Sequence, residues 1–325
     1  MSKSDCNELD VWEFRISNSD SPGINSGAKF SAIMDGNAPT QSQPLMTPPP
    51  HHPNHPTHVP WTQAWFDQQR STLGESACQE AGFYVIPTNV VVSVVIPFFN
   101  EADSLADVIE RVAAVEIRKQ IILIDDGSHD RSPQIAHELA ERFTDDHNQF
   151  RLETLSTNSG KGAAITAGLG LASGDIAIIQ DADLEYDPAE FPRLIRPIIE
   201  GRADVVYGSR FLGDSDQRTG YYWNSVGNHL LTKFSNTFTR LKLTDIETGH
   251  KVFSREVIDA ITPKLISRGF SIEPEITARV AKAKFRVTEV PISYTGRTYE
   301  EGKKIRFLRD GLAAAWSIVR FGLFP

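Results

Sequence analysis

The chain holds 325 residues, with 33 Lys and Arg against 42 Asp and Glu and a formal net charge of -9, a balance that excludes a protein whose main task is coating nucleic acid. Hydrophobic residues at 40% and charged residues at 23% exclude a wholly disordered or fibrous chain, and at roughly 100 to 200 residues per domain the length allows one large domain or two. Two cysteines, Cys6 and Cys78, are too few for a disulfide framework or a Cys-based zinc site and fit a reducing compartment.

Met1 to Asp20 is broken by Asp5, Glu8, Asp10 and Glu13 and contains no apolar core of a secretory signal. No apolar run approaches the roughly 18 to 20 residues that span a bilayer, so membrane contact is expected to be peripheral. Up to residue 89 Ser, Asn, Gln, Pro and His dominate, and Pro39 to Pro60 carries Pro48, Pro49 and Pro50 followed by His51, His52, His55 and His58. Proline removes backbone donors and restricts its predecessor, so 1–89 reads as a largely disordered extension, and its histidines as part of a solvated linker.

From Val90 the hydrophobic period alternates. Val90 to Ile96 is a continuous, β-branched run of the kind buried on both faces of a sheet, and Leu105, Val108, Ile109 and Val112 mark one helical face. The pattern recurs at Ile121 to Ile124 with Ile135, Leu139 and Phe143, then at Leu152 to Leu155 with Ala164 to Leu171. It recurs again at Ile176 to Ile179 with Phe191, Leu194, Ile195 and Ile198, and ends on Val205 to Tyr207. Strands alternating with helices imply right-handed crossovers and a mainly parallel Rossmann-type α/β sheet, whose ligands sit at the carboxyl ends of the strands.

Those ends carry Pro97-Phe98-Phe99-Asn100-Glu101, Asp125-Asp126-Gly127-Ser128 and Asp181-Ala182-Asp183. Converging carboxylates repel one another and raise each other's pKa unless a cation intervenes. Asp181, Asp183 and Glu185 offer the hard oxygens that Mg²⁺ or Mn²⁺ prefers, and such ions are held largely through substrate phosphates, so the expected ligand is a diphosphate. Ser159-Gly160-Lys161-Gly162 is not a P-loop, since it lacks the upstream glycine and the Ser or Thr after the lysine. Its turn can still present amides at a helix start. Gly168 and Gly170 lie inside a helical pattern and are expected to serve close helix packing.

In this order the motifs resemble the family 2 glycosyltransferases, in the branch of dolichol-phosphate mannosyltransferases and polyprenyl-phosphate sugar transferases. The resemblance runs from about Val90 to Phe321. It rests on Val95 to Glu101, Asp125 to Ser128, Asn158 to Gly162, Asp181 to Leu184, Gly208-Ser209-Arg210, Thr244 to Gly249, and Gly296 to Tyr299 with Lys303. It implies a GT-A-like domain over 90–305 followed by an amphipathic helix over 306–325. Pro97, Phe99, Glu101, Asp126 and Asp181 would line the donor site, Asp181, Asp183 and Glu185 would hold Mg²⁺ or Mn²⁺, and Asp183, Arg210 and Lys303 would serve catalysis. The chain departs from the family where Phe99 replaces the commoner Tyr and Asn224 the commoner His.

The implied reaction is inverting transfer of a hexose from GDP-mannose or UDP-glucose to a polyprenyl phosphate. Positive charge at the site would offset the charge building on the departing diphosphate. A phosphate acceptor is already largely ionised at neutral pH and needs no base. For a hydroxyl acceptor, Asp245, Glu247 and Glu273 are the candidate bases. Val226, Leu230, Phe234, Phe238 and Leu241 at helical spacing, and Ile305, Leu308, Leu312, Trp316 and Val319, form two basic-flanked stripes. They suit either a membrane surface or packing on the sheet or a second protomer. The implied location is the cytoplasmic membrane face. Competing readings are a soluble hydroxyl acceptor, a catalytically silent protein binding a nucleotide sugar or docking a partner, and nucleotidyl transfer.

Overall fold

The strands are β1 (Val92–Phe98), β2 (Lys119–Asp125), β3 (Asn148–Thr154), β4 (Ile176–Ile179), β5 (Val205–Ser209), β6 (Lys251–Ser254) and β7 (Val287–Pro291). The central strands β1, β4 and β5 form where runs rich in apolar residues are buried on both faces, while β3 and β7 are only partly buried. The helices are α1 (Gln63–Leu73), α2 (Glu75–Glu80), α3 (Leu105–Ala114), α4 (Ser132–Phe143), α5 (Lys161–Leu171), α6 (Phe191–Ile199), α7 (Tyr222–Thr239), α8 (Arg255–Ile261), α9 (Ile272–Lys282) and α10 (Phe307–Leu323). The structure, a computed structural model, describes residues 59–212, 222–296 and 307–324, with side chains over 59–212, 225–296 and 311–324.

The seven strands form one sheet in the order β3-β2-β1-β4-β6-β5-β7. Pairings β1 with β2, β2 with β3, β1 with β4 and β5 with β7 are parallel. The exception is β6, antiparallel to both β4 and β5. All seven residues of β1 are buried. Val94 and Ile96 join one core with Leu105, Ile109, Leu194 and Ile195, while Val95 faces a second core with Ile122, Ile165, Leu169 and Ile276. Each such side chain contributes roughly 1.5–3 kcal/mol by leaving water. α5 approaches β1 closely because Gly168 has no side chain: a Cβ there would lie 2.3 Å from Val95 Cγ1. Gly170 meets nothing within 4 Å and plays no such role.

The compositional extension 1–89 contains α1 and α2 in its described part, 59–89. Tyr84 and Ile86 are buried in the first core, with Trp61 packed against it. The Tyr84 hydroxyl donates to the Pro192 carbonyl, and Arg196 lies 5.4 Å from its ring centroid. The Pro/His tract up to His58 lies outside the described residues.

Candidate active site

The carboxyl ends of β1 and β2 are tied together by side chains that cap backbone amides. Asn100, at φ 51°, accepts from the His129 amide through Oδ1 at 2.8 Å, and its own amide donates to Ser128 Oγ at 3.0 Å. The Glu101 amide donates to Ser132 Oγ at 2.9 Å and the Ala102 amide to Asp130 at 3.2 Å. Phe99 meets the His129 ring edge-on at 6.4 Å. Asp126, buried, spends both oxygens on the next turn, accepting from the amides of Ser159 at 2.7 Å and Gly160 at 2.8 Å. Those bonds set the start of α5, which Gly160 enters at φ 95°.

The first residue of α5 is Lys161. Its Nζ lies 2.7 Å from Asp181 Oδ1, at the end of β4, and 3.6 Å from Glu273 Oε1 on α9. The other Glu273 oxygen accepts from the buried Lys251. Burial by itself would raise the Asp181 carboxyl, but the Lys161 ammonium outweighs it and holds the group below its ordinary value. Burial likewise opposes the Lys161 charge, and Asp181 and Glu273 together raise its pKa despite that.

Asp183 accepts from the Glu185 amide at 3.3 Å, and Glu185 Oε2 accepts from the Tyr294 hydroxyl at 2.9 Å. Behind Asp181 the chain is packed tightly. Gly249 donates its amide to the Tyr186 hydroxyl at 2.9 Å, and Tyr186 stacks at 4.8 Å on His250 and 5.3 Å from Tyr294. His250, fully buried and paired with Gln180 at 2.8 Å, is lowered by burial to about 4 and is therefore neutral.

Arg210, just past β5, is clamped by Asp245: Nε to Oδ2 at 2.7 Å and Nη2 to Oδ1 at 2.8 Å. Asn228 of α7 donates to the same carboxylate at 3.0 Å. Burial would raise Asp245, but the Arg210 guanidinium holds it low. Glu289 of β7 accepts from the Thr244 and Asp245 amides at 2.8 and 3.1 Å, fixing the loop that carries the clamp. Tyr294 lies 5.0 Å under the guanidinium. Of the three candidate bases, Asp245 is therefore held by Arg210 and Glu273 by Lys251. Burial, then the Glu273 charge, raises Glu247 to about 7, and its buried Oε1 has no hydrogen-bond partner.

Asp181, Asp183 and Glu185 thus follow β4 along one segment, each with its own partner, and Arg210 is linked to Glu185 through Tyr294. Pro97 is buried within β1, with Phe99 and Glu101 in the loop that follows. Lys303 and Arg297 to Tyr299 lie outside the described residues, as does the side chain of Asn224. Among the described residues no three His, Cys, Asp or Glu side chains lie close enough to hold a metal ion. A cation nevertheless stands where one is expected, the Lys161 ammonium on Asp181 with Asp183 adding to the field. The donor set is hard oxygen, which fits Mg²⁺ or Mn²⁺. Bringing the three carboxylates onto one ion requires the Lys161 and Tyr294 bonds to yield. Sequence reasoning missed Lys161, Tyr186, Glu289 and Tyr294. For Lys161 a signal existed: a cation at the positive end of a helix is unfavourable unless an anion holds it.

The profile of Glycosyl transferase family 2 matches residues 93–262. The chain belongs to this family and is a glycosyltransferase. It is 32% identical over 212 residues to the polyprenol monophosphomannose synthase of Mycolicibacterium smegmatis, covering 63% of this chain and 77% of that one. It is 31% identical over 270 residues to the low-salt glycan biosynthesis hexosyltransferase Agl6 of Haloferax volcanii, covering 79% of this chain and 60% of that one. A glucosyl-3-phosphoglycerate synthase from Mycobacterium tuberculosis, solved with Mn²⁺, UDP and phosphoglyceric acid, superposes with a TM-score of 0.56 at 16% identity, over 83% of this chain and 86% of that one. That likeness shows the shared GT-A-type fold.

Proposed function

We propose that the chain transfers a hexose, mannose or glucose, from GDP-mannose or UDP-glucose to a polyprenyl phosphate, with inversion, as a peripheral enzyme on the cytoplasmic membrane face. The observation that carries the reading is the continuity between an anion site and an apolar surface. Asp245 holds Arg210 and is itself held by Asn228 of α7. α7 exposes Leu230 and Phe234, and α10, packed on α7, exposes Leu312, Trp316 and Leu323. A phosphate head on the arginine fork and an isoprenoid chain along these helices match that surface. No helix among the described residues is long and apolar enough to cross a membrane. The similarity to polyprenol monophosphomannose synthase supports the same acceptor class.

In this reading the loops after β1 and β2 seat the nucleoside, with Phe99 and Glu101 beside it and Asp126 fixing the α5 turn. A divalent ion held by Asp181, Asp183 and Glu185 would supply positive charge to the departing diphosphate. Arg210 orients the anionic acceptor, which needs no base. Lys303 would flank the phosphates.

Glu247 favours a second reading, a hydroxyl acceptor, because its partnerless carboxyl near pH 7 suits general-base work. One experiment separates them: labelled GDP-mannose and UDP-glucose are incubated with short-chain polyprenyl phosphate, and with soluble hydroxyl acceptors. Label in the organic phase is expected; label confined to water-soluble products overturns the lipid reading.

A further inference from the structure

The feature left unexplained by the transfer reaction is the buried pair of carboxylates around Lys161. Nζ bonds Asp181 Oδ1 at 2.7 Å, while Glu273 Oε1 stands 3.6 Å away. That oxygen is buried, on a side chain 4% exposed, and has no hydrogen-bond partner. An unpartnered buried carboxylate oxygen beside an ammonium is costly, and a shift of about 1 Å would bring it within bonding distance. The geometry points to Lys161 as a positioning residue with two stations: it occupies Asp181 in competition with the divalent ion and withdraws to Glu273 when Asp181 is needed. The inference rests on the metal reading given under the proposed function and deepens it.

Three observations support two stations rather than a fixed salt bridge. First, the distance between them is set by backbone. A Cβ on Gly160 would lie 2.5 Å from the Arg268 carbonyl and one on Gly162 2.4 Å from the Ser267 carbonyl, so the start of α5 is pressed onto the loop leading into α9. The Ala163 amide donates to that same Arg268 carbonyl at 3.1 Å, and Glu275 holds the Ile266 and Ser267 amides. Second, Lys161 is largely buried at the positive end of α5, and both facing carboxylates, Asp181 and Glu273, favour its charge against that burial. Third, the second station is already prepared: Lys251 neutralises the other Glu273 oxygen and also donates to the Thr248 carbonyl at 2.5 Å. With Lys161 on Asp181, the apparent affinity for the metal is reduced by the fraction of molecules in which Asp181 is released.

The test is a Mn²⁺ titration without nucleotide, reading free Mn²⁺ by electron paramagnetic resonance. If Asp181 is released in about one molecule in ten, Lys161→Met tightens Mn²⁺ binding about tenfold. Unchanged or weaker binding overturns the inference. Glu273→Gln, read in the same titration, keeps the test open should Lys161→Met fail to fold. It removes the second station and is expected to weaken Mn²⁺ binding severalfold; equal or tighter binding counts against the switch. A protein that binds no Mn²⁺ in any variant, even with nucleoside diphosphate added, would fail the metal reading itself and the inference with it. Wild-type binding that Lys161→Met leaves unaltered fails the inference alone.

Discussion

Gly249→Ala probes the site without replacing a charged residue. A Cβ at position 249 would lie 2.3 Å from Asp181 Oδ2, 2.8 Å from Tyr186 Cε2 and 3.1 Å from Asp181 Cγ. Ordinary carbon–oxygen contact needs about 1 Å more. The carboxylate must therefore retreat, loosening its bond to Lys161, or the 249 backbone must withdraw from the Tyr186 hydroxyl. Overpacking of this kind costs about 1–3 kcal/mol of stability. A displacement of about 1 Å in a catalytic group costs about a hundredfold in rate, or about 2.7 kcal/mol in the barrier. The assay is kcat/KM for sugar transfer beside thermal unfolding of the same preparation. The expected result is about a hundredfold loss of kcat/KM in a protein that still folds cooperatively. A folded variant within threefold of wild type would refute the claim that the 249 backbone positions Asp181.

The remaining expectations concern buried titratable groups and the apolar helices. Glu247 has a folded pKa of about 7, raised by burial, so the proton it retains adds stability that is fully present below about pH 4.5 and lost as pH rises through about 7. Glu247→Gln should match wild type in melts at pH 4 and exceed it at pH 8 by up to about 3 kcal/mol; a difference independent of pH would reject the assignment. His250, lowered to about 4 by burial, behaves oppositely: its stability is present above about pH 6.5 and lost as pH falls through about 4. His250→Phe strands Gln180 Oε1, costing about 1–3 kcal/mol at pH 7, and this deficit should shrink as pH falls from 7 to 4.5. A deficit that stays constant would mean His250 is not buried neutral. Trp316→Glu, on a side chain 67% exposed, should leave the melting temperature within about 2 °C and reduce cosedimentation with anionic vesicles severalfold; undiminished sedimentation would remove α10 from the membrane contact.

The parts of the fold legible in sequence were those whose pattern is local. β1, β2 and β4 are apolar runs buried on both faces, and α3 and α6 show a clear apolar stripe, so the sheet's parallel half follows from period alone. β6 was not legible because Lys251–Ser254 carries two apolar residues in four and pairs antiparallel through contacts distant in sequence. β7 is half-buried throughout and lacks the continuous apolar run that marks β1. The strand ends were located by the rule that ligands gather at carboxyl ends. Partners across the sheet were beyond that rule: nothing near Glu289 in sequence shows that it caps Thr244 and Asp245, and nothing near Tyr294 shows its bond to Glu185.

Arg210 shows how such distant partners change a residue's chemistry. On sequence it is one cation among several near a phosphate. In the structure its two bonds to Asp245 consume two of the five N–H donors of a guanidinium, and fix the plane in which the others lie. The Tyr294 ring beneath it at 5.0 Å and the Asn228 bond to Asp245 restrict it further. A fork already neutralised by a buried carboxylate attracts a distant anion weakly, but it holds an arriving phosphate in one orientation with little further loss of side-chain entropy. Its contribution should therefore lie in placing the acceptor oxygen for attack rather than in affinity. The same Asp245 that orients it bonds to α7, whose exposed apolar side chains face the lipid in the proposed reaction. Headgroup orientation and membrane contact are in this way carried by one connected set of side chains.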